Sequence, residues 1–174
     1  MRRVMIIGSG GSGKSTLARQ LGKILNIEVF HLDAIHWNPG WVETPLEEWK
    51  AIIDKLTKKE TWIIDGNYGD CTMETRIQAA DTIIFMDFPR VVCILRIIKR
   101  WLQYINKVRP DMGKGCPEKI DWKFLKWIWT YPDSKRPEIL NKINAYKSNK
   151  NVIVLNNAKE VKRFLKQLAS NKVS

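Results

Sequence analysis

The sequence predicts an α/β protein in which a five-stranded parallel sheet carries helices on both faces. Five short apolar segments rich in β-formers lie at residues 3–7, 28–32, 61–65, 81–87 and 151–155. Between them, apolar residues recur at helical spacing, so strands alternate with helices. The 174 residues contain no internal repeat and no linker, and we expect a single domain over residues 1–174.

The first strand leads directly into a glycine-rich stretch, Gly8-Ser9-Gly10-Gly11-Ser12-Gly13-Lys14-Ser15-Thr16. Residues 8–15 match the phosphate-binding pattern G-x-x-x-x-G-K-[ST], and a helical pattern follows. In such a loop the backbone amides and the helix N-terminus bind phosphate. Lys14 can reach the β- and γ-phosphates, and the Ser15 hydroxyl can bind Mg²⁺. We therefore expect residues 8–16 to bind ATP with Mg²⁺.

Three carboxylates follow the second, third and fourth strands, at Asp33, Asp65 and Asp87. The carboxyl ends of parallel strands meet at one edge of the sheet, where ligand sites form. Asp65 precedes a sharp turn at Gly66, and we expect it to bind the metal or support its ligands. Asp33 is predicted to lie on the acceptor side, as a base or an orienting group for the attacking hydroxyl. We expect Asp87 to be a helix cap.

Two further helical segments are predicted, one before the third strand and one after the fourth. Thr44-Pro45-Leu46-Glu47 predicts a capping box that opens a helix ending near residue 59. A basic helix is predicted from about residue 90 to 107, followed by a connection with proline and glycine and then two further helices. The whole segment of about residues 90–150 is longer than one crossover needs, and we expect it to act as a lid.

Positive charge is concentrated in that same segment. The chain carries a net charge of +12, and residues 90–150 hold 15 basic and 5 acidic residues. Such a field attracts polyanions, which include nucleotides, phosphorylated small molecules and nucleic acids. Solvated helix faces are the alternative for any single lysine.

Several segments resemble those of the adenylate-kinase-like kinases, and more closely those of the bacterial P-loop family known as DNA topology modulation proteins. The shared stretches are His31-Leu32-Asp33, Pro39-Gly40-Trp41, Asp65-Gly66-Asn67-Tyr68, Gly115-Cys116-Pro117-Glu118 and Asp121-Trp122. The resemblance covers nearly the whole chain and implies a small-molecule kinase. Adenylate kinases continue Asp-Gly with Phe-Pro-Arg, whereas here Asn67-Tyr68 follows. The arginine that grips AMP is therefore missing from its place, and Arg76 is the nearest substitute.

Arginines stabilise the charge that develops on a transferring phosphoryl group. Arg96 and Arg100 lie one helical turn apart and resemble the lid arginines of these kinases. We expect these two to be catalytic, together with Lys14, Asp33 and Arg136.

Two functions compete at this stage. The favoured one is a kinase that moves the γ-phosphate of ATP to a nucleoside-like or other small acceptor, in a cleft partly walled by Trp37 and Trp41. The alternative is an ATP-dependent protein that binds DNA or regulates its topology, since tryptophans beside basic residues can stack on bases. For Trp122 and Trp129 we expect packing inside the lid. No apolar run is long enough to span a membrane, and the three scattered cysteines favour a cytoplasmic protein.

Overall fold

The computed structural model describes residues 1–69, 72–105 and 107–170. In chain order the elements are β1 (Arg3–Gly8), α1 (Lys14–Leu25), β2 (Val29–His31), α2 (Leu32–His36), β3 (Trp37–Asn38), β4 (Val42–Glu43), α3 (Leu46–Thr57), β5 (Trp62–Asp65), α4 (Met73–Ala79), β6 (Thr82–Met86), α5 (Arg90–Tyr104), α6 (Trp122–Thr130), α7 (Lys135–Ala145), β7 (Asn151–Leu155) and α8 (Ala158–Ser170).

The main sheet is parallel and has the order β2-β5-β1-β6-β7, which confirms the predicted five-stranded α/β fold. The central strand β1 pairs with β5 on one side and β6 on the other, and its side chains from Val4 to Ile7 are fully buried. A strand buried on both faces carries a continuous apolar run, which is why its sequence signal is strong. The carboxyl ends of β1, β2 and β5 lie side by side at one edge of the sheet.

Each face of the sheet packs against its own set of helices. Met5 and Ile7 face a cluster that contains Trp49 of α3 and Ile77 of α4. Val4 and Ile6 point the other way, into a cluster that includes residues of α1 and α5. The two-residue period of the strand thus divides the core into two layers.

The prediction did not include α2 or the hairpin of β3 and β4. All are shorter than the segments that periodicity can detect. The start of α3 also differs, because Pro45 is its N-cap and no side chain of the described residues caps it. The predicted capping box is wrong, since the Thr44 hydroxyl instead donates to the carbonyl of His36 at 2.8 Å. Thr44 therefore stabilises the end of α2.

The segment between β6 and β7 contains α5, α6 and α7, and α5 ends at Tyr104, before the predicted residue 107. The chain after α5 packs closely on the β3–β4 hairpin. A Cβ on Gly113 would lie 2.4 Å from the carbonyl oxygen of Trp37, so no side chain fits there. The Gly40 amide donates to the carbonyl of Gly115 at 3.0 Å. The chain after α5 and the β3–β4 hairpin together cover the space beyond the edge of the sheet.

The predicted packing of Trp122 and Trp129 is wrong: they are 83% and 51% exposed. Ile128 is fully buried in their place, and Trp127 packs on both core clusters. Helical spacing was present, but α6 turns a different face to the core than we expected. Within the described residues, no helix combines the length and apolar character needed to cross a membrane.

Candidate active site

The glycine-rich loop joins β1 to α1 and ends at Gly13, which caps α1 in a left-handed conformation with φ 101°. Among the described residues no side chain caps this helix, so its first amides are available to a ligand. Gly11, with φ 76°, packs so closely on α5 that a Cβ would lie 2.3 Å from the carbonyl oxygen of Cys93. The hydroxyl of Ser12 is buried and lacks a hydrogen-bond partner in the described part of the chain. These features fit a triphosphate.

Lys14 turns back over this loop. Its Nζ donates to the carbonyl oxygens of Gly8 at 3.0 Å and Ser9 at 2.9 Å. Burial lowers the pKa of Lys14, while the charges of Asp33 and Asp65 act in the opposite direction. Because its partners are neutral carbonyls, the positive charge of Lys14 remains available to an anion.

A cavity of about 320 Å³ opens beside Lys14, and the two predicted metal ligands lie in its wall. Ser15 and Asp65 both line it. Asp65 is held by a 2.6 Å contact between its Oδ1 and Nδ1 of His31. Burial alone would lower the pKa of His31, but the hydrogen bond and charge of Asp65 outweigh it and raise that pKa.

Asp33 lies in the first turn of α2, just past the end of β2. Its Oδ1 accepts a hydrogen bond from the Tyr68 hydroxyl at 3.0 Å, and its Oδ2 lies 3.4 Å from Nη2 of Arg109. Its side chain is 45% exposed and lines the same cavity as Lys14. Burial and the neighbouring Asp33 raise the pKa of Tyr68, which therefore remains a hydrogen-bond donor at neutral pH.

Asp111 is a third carboxylate in this cavity, and sequence reasoning missed it. It is hydrogen bonded to the side chain of Ser15 and lies 3.5 Å from Nη1 of Arg19. The feature of the sequence that could have identified Asp111 is its negative charge, since it is one of only 5 acidic residues in the basic segment 90–150. Glu118, only 3% exposed at its side chain, is another of these, and the sequence pattern assigned it no role.

No group of three or more His, Cys, Asp or Glu side chains in the described residues forms a metal site by itself. A cation here therefore needs ligands from phosphate oxygens and water as well. Mg²⁺ accepts that arrangement, because it keeps several waters and takes one or two carboxylates. The Ser15 hydroxyl with Asp65 fits such a partial site, and Asp111 adds a second carboxylate next to Ser15.

The arginines of the segment between β6 and β7 have different partners. Arg96 donates to the carbonyl of Ser12 at 2.9 Å and lies over the ring of Phe88, so α5 contacts the phosphate loop directly. Arg100 is paired with Glu118 at 2.7 Å. Arg109 contacts Asp33, Asp111 and Glu118 and is itself buried. Arg96, Arg100 and Arg109 all line the cavity beside Lys14.

Arg136 is not brought to that cavity. Its guanidinium binds both oxygens of Asp87, with Nε at 2.8 Å from Oδ1 and Nη2 at 2.7 Å from Oδ2. Asp87 is therefore not the helix cap that we expected, and Pro89 occupies the N-cap of α5. The two side chains form a bidentate pair that joins α7 to the end of β6.

Arg76 is also unavailable to a substrate. It is fully buried and donates to backbone carbonyls of Gly66, Asn67 and Tyr68. It therefore holds the turn after β5 in place rather than replacing an AMP-binding arginine.

A second cavity, of about 610 Å³, adjoins the first. Both are lined by Asp33, Arg100, Arg109 and Phe124. Trp37 and Trp41 line the second cavity, as their positions in the sequence predicted, with their ring centroids 5.5 Å apart. The ring of His36 packs against the rings of Trp37, Trp49 and Tyr68.

Comparison with known proteins gives structural relatives alone. No protein-family model matches the chain, and no curated protein matches it. Among solved structures, shikimate kinase from Acinetobacter baumannii in complex with shikimate is similar, with 14% identity and a TM-score of 0.58, over 100% of this chain and 96% of that one. Shikimate kinase from Bacteroides thetaiotaomicron shows 15% identity and a TM-score of 0.54 over 99% of both chains.

A gluconokinase from Sinorhizobium meliloti 1021 has 15% identity and a TM-score of 0.54, over 99% of this chain and 95% of that one. The structural neighbours are thus small-molecule P-loop kinases, and this chain has their fold. At these identities the likeness concerns the fold alone.

Proposed function

We propose that this protein is an ATP-dependent kinase that phosphorylates a hydroxyl group of a small molecule. The observation that carries the proposal is that Asp33 lines both cavities. One cavity offers the phosphate loop and Lys14, and the other is an aromatic cleft large enough for a small acceptor. A hydroxyl at Asp33 therefore lies where the two meet. This arrangement supports, for this chain, the class of reaction that the names of the solved structures indicate, which is phosphorylation of a small molecule.

The residues divide the work as follows. The loop of residues 8–16, with Lys14 and Arg96, binds the phosphates and offsets the charge that develops on the transferring group. Ser15 and Asp65 hold Mg²⁺, which supplies further charge neutralisation when bound. Asp33 accepts the proton of the acceptor hydroxyl. The acceptor oxygen forms the new bond to the γ-phosphorus as the bond to the β–γ bridging oxygen breaks, and ADP leaves.

A metabolite screen for stimulated ADP formation tests the proposal. We expect Lys14→Ala to weaken binding of an ATP analogue strongly. Lys23→Ala, on an exposed position of the same helix, is the matched control and should bind normally. Asp33→Asn should keep ATP binding while kcat falls about 10²–10⁴-fold, the usual contribution of a general base. Equal ATP affinity in wild type and Lys14→Ala contradicts the proposal.

The resemblance to DNA topology modulation proteins supports a second candidate, DNA binding, and we propose membership of that family on those motifs. The supporting observation is that Trp122 is exposed beside Lys123 on α6. DNA affinity that falls by several decades as salt rises would support this candidate.

We further propose a cytoplasmic location, since Cys93 and Cys116 are free thiols and a reducing compartment keeps them so.

A further inference from the structure

The cavity of about 610 Å³, the aromatic cavity, is lined by an excess of acidic side chains. The cavity of about 320 Å³ beside Lys14, the phosphate cavity, is lined by an excess of cationic ones. Five cationic and three acidic side chains line the phosphate cavity: Lys14, Arg19, Arg96, Arg100 and Arg109, against Asp33, Asp65 and Asp111. Three cationic and four acidic side chains line the aromatic cavity: Arg100, Arg109 and Lys119, against Asp33, Glu43, Glu118 and Asp121. An anion is therefore attracted to the first cavity and not to the second.

The two arginines of the aromatic cavity are already neutralised. Arg100 donates from Nε to Oε1 of Glu118 at 2.9 Å, and its Nη2 lies 2.7 Å from the same oxygen. Nε of Arg109 lies 3.2 Å from the other carboxylate oxygen, Oε2. One buried carboxylate thus holds both guanidinium groups. The remaining cation, Lys119, lies 4.6 Å from the ring centroid of Trp41.

An anionic acceptor could pair with Arg100 and Arg109 only by displacing Glu118 from them. Glu118 is only 3% exposed at its side chain, so it would be left buried beside a second negative charge. Breaking a buried ion pair in this way costs on the order of 10²-fold or more in affinity. The walls offer flat rings instead: Trp37, Trp41 and the stacked pair of Phe124 and Trp127, whose planes differ by 10°.

Resting on the proposed kinase function, we infer that the acceptor is an uncharged molecule with a planar ring, and that Glu118 excludes anionic acceptors by occupying Arg100 and Arg109. The ring lies among the tryptophans and the hydroxyl reaches Asp33. Glu118 is in this sense a specificity-determining residue rather than a catalytic one.

Matched pairs of compounds test this inference without any variant. Nucleosides are compared with their 5′-monophosphates, and neutral aromatic alcohols with their carboxylate derivatives, by calorimetric binding and by ADP formation. We expect the neutral member of a pair to bind at least about 10²-fold more tightly. Preference for the charged member, or binding of neither member of any pair, overturns the inference.

Glu118→Gln adds a test of the mechanism. It should release Arg100 and remove one of the three carboxylate partners of Arg109, which keeps Asp33 and Asp111. The preference for the neutral member should then fall at least about 10-fold. Glu43→Gln removes a negative charge from the same cavity, but in the described residues Glu43 forms no ion pair with either arginine. It should change the preference about 3-fold at most. Equal effects of the two variants would falsify the role of Glu118.

The calorimetric and kinetic readouts distinguish the two levels of failure. If anionic acceptors are phosphorylated in preference, the kinase proposal stands and the inference fails. If neutral ring compounds bind while ADP formation stays at its level without acceptor, the kinase proposal fails and the charge selectivity stands.

Discussion

Arg96 and Arg100 show how strongly the role of a single residue depends on its partner. They lie one turn apart on α5, and in the sequence they are equivalent. Arg96 binds a neutral carbonyl in the phosphate loop, whereas Arg100 binds the carboxylate of Glu118. A guanidinium that is not paired with a carboxylate can neutralise an incoming phosphate without breaking an ion pair.

Arg96→Ala should therefore lower kcat by about 10²–10³-fold, the usual effect of removing one group that stabilises the transition state. Arg136→Ala is the comparison, because it removes a lid-segment arginine that is bound to Asp87 outside the cavity. We expect it to change kcat about 3-fold or less. Steady-state rates with a saturating acceptor measure both, and a larger loss in Arg136→Ala would restore its predicted catalytic role.

Arg76 is a structural residue whose burial no sequence pattern indicated. It donates to three successive carbonyls of the turn that follows β5. Arg76→Met keeps much of its volume but leaves these buried acceptors unsatisfied, so we expect about 3 kcal/mol of lost stability. Urea unfolding measures the loss. Gln78→Ala, on an exposed position of the same helix, should stay within about 0.5 kcal/mol.

At the scale of elements, Asp81 joins the starts of two strands. Its Oδ2 accepts hydrogen bonds from the backbone amides of Arg2 at 2.9 Å and Arg3 at 2.8 Å, where β1 begins. Burial alone would raise the pKa of Asp81, but the hydrogen bonds from Thr82, Arg3 and Arg2 outweigh it and lower that pKa. The carboxylate thus fixes the start of the central strand β1 beside the start of β6.

A carboxyl group whose pKa is lower in the folded state stabilises the fold above its unfolded pKa of about 3.9. That contribution is lost as pH falls through the folded pKa. Asp81→Asn should therefore reduce the urea midpoint clearly at pH 7 and less at pH 3. Asp54→Asn removes a carboxylate that forms an exposed pair with Lys58, and its effect should be small at both pH values. A loss in Asp81→Asn that is the same at pH 7 and pH 3 contradicts this assignment.

At the scale of the whole molecule, Asp111 connects the segment after α5 to the phosphate loop. It contacts Ser15 and Arg19 of α1 and lies 3.4 Å from Nη1 of Arg109. The surrounding chain also docks on the β3–β4 hairpin through Gly113 and Gly115. Asp111 is therefore one of the charged contacts that hold this segment against the site.

Asp111→Asn should loosen that closure without unfolding the sheet. We expect faster hydrogen exchange at backbone amides of residues 107–121, whereas amides of β1 and β6 keep their protection. Mass-spectrometric hydrogen exchange on the protein without nucleotide measures this. Asp133→Asn, which removes an exposed partner of Arg90, is the control. Unchanged exchange over residues 107–121 would show that the other contacts of the segment hold it without the charge of Asp111.

Prediction from sequence succeeded where the signal is local. The buried run of β1, the loop of residues 8–16 and the amphipathic pattern of α1 are contiguous, and the structure has all three in place. Prediction failed where the surroundings of a residue are formed by segments that lie far from it in the sequence. The expected cap at Asp87 and the expected packing of Trp122 and Trp129 depended on which face α6 and α7 turn inward, and short elements such as α2 leave too weak a period to detect.

The sequence by itself determined the α/β architecture and the nucleotide-binding loop, because strand burial, helix periodicity and the glycine pattern are encoded within about 15 consecutive residues. Only the tertiary structure decided which cations face the phosphates and which are neutralised. The reason is physical: charges interact over a few ångströms in space, and residues 33, 100, 109 and 118 become neighbours only when the segment between β6 and β7 folds back over the sheet edge.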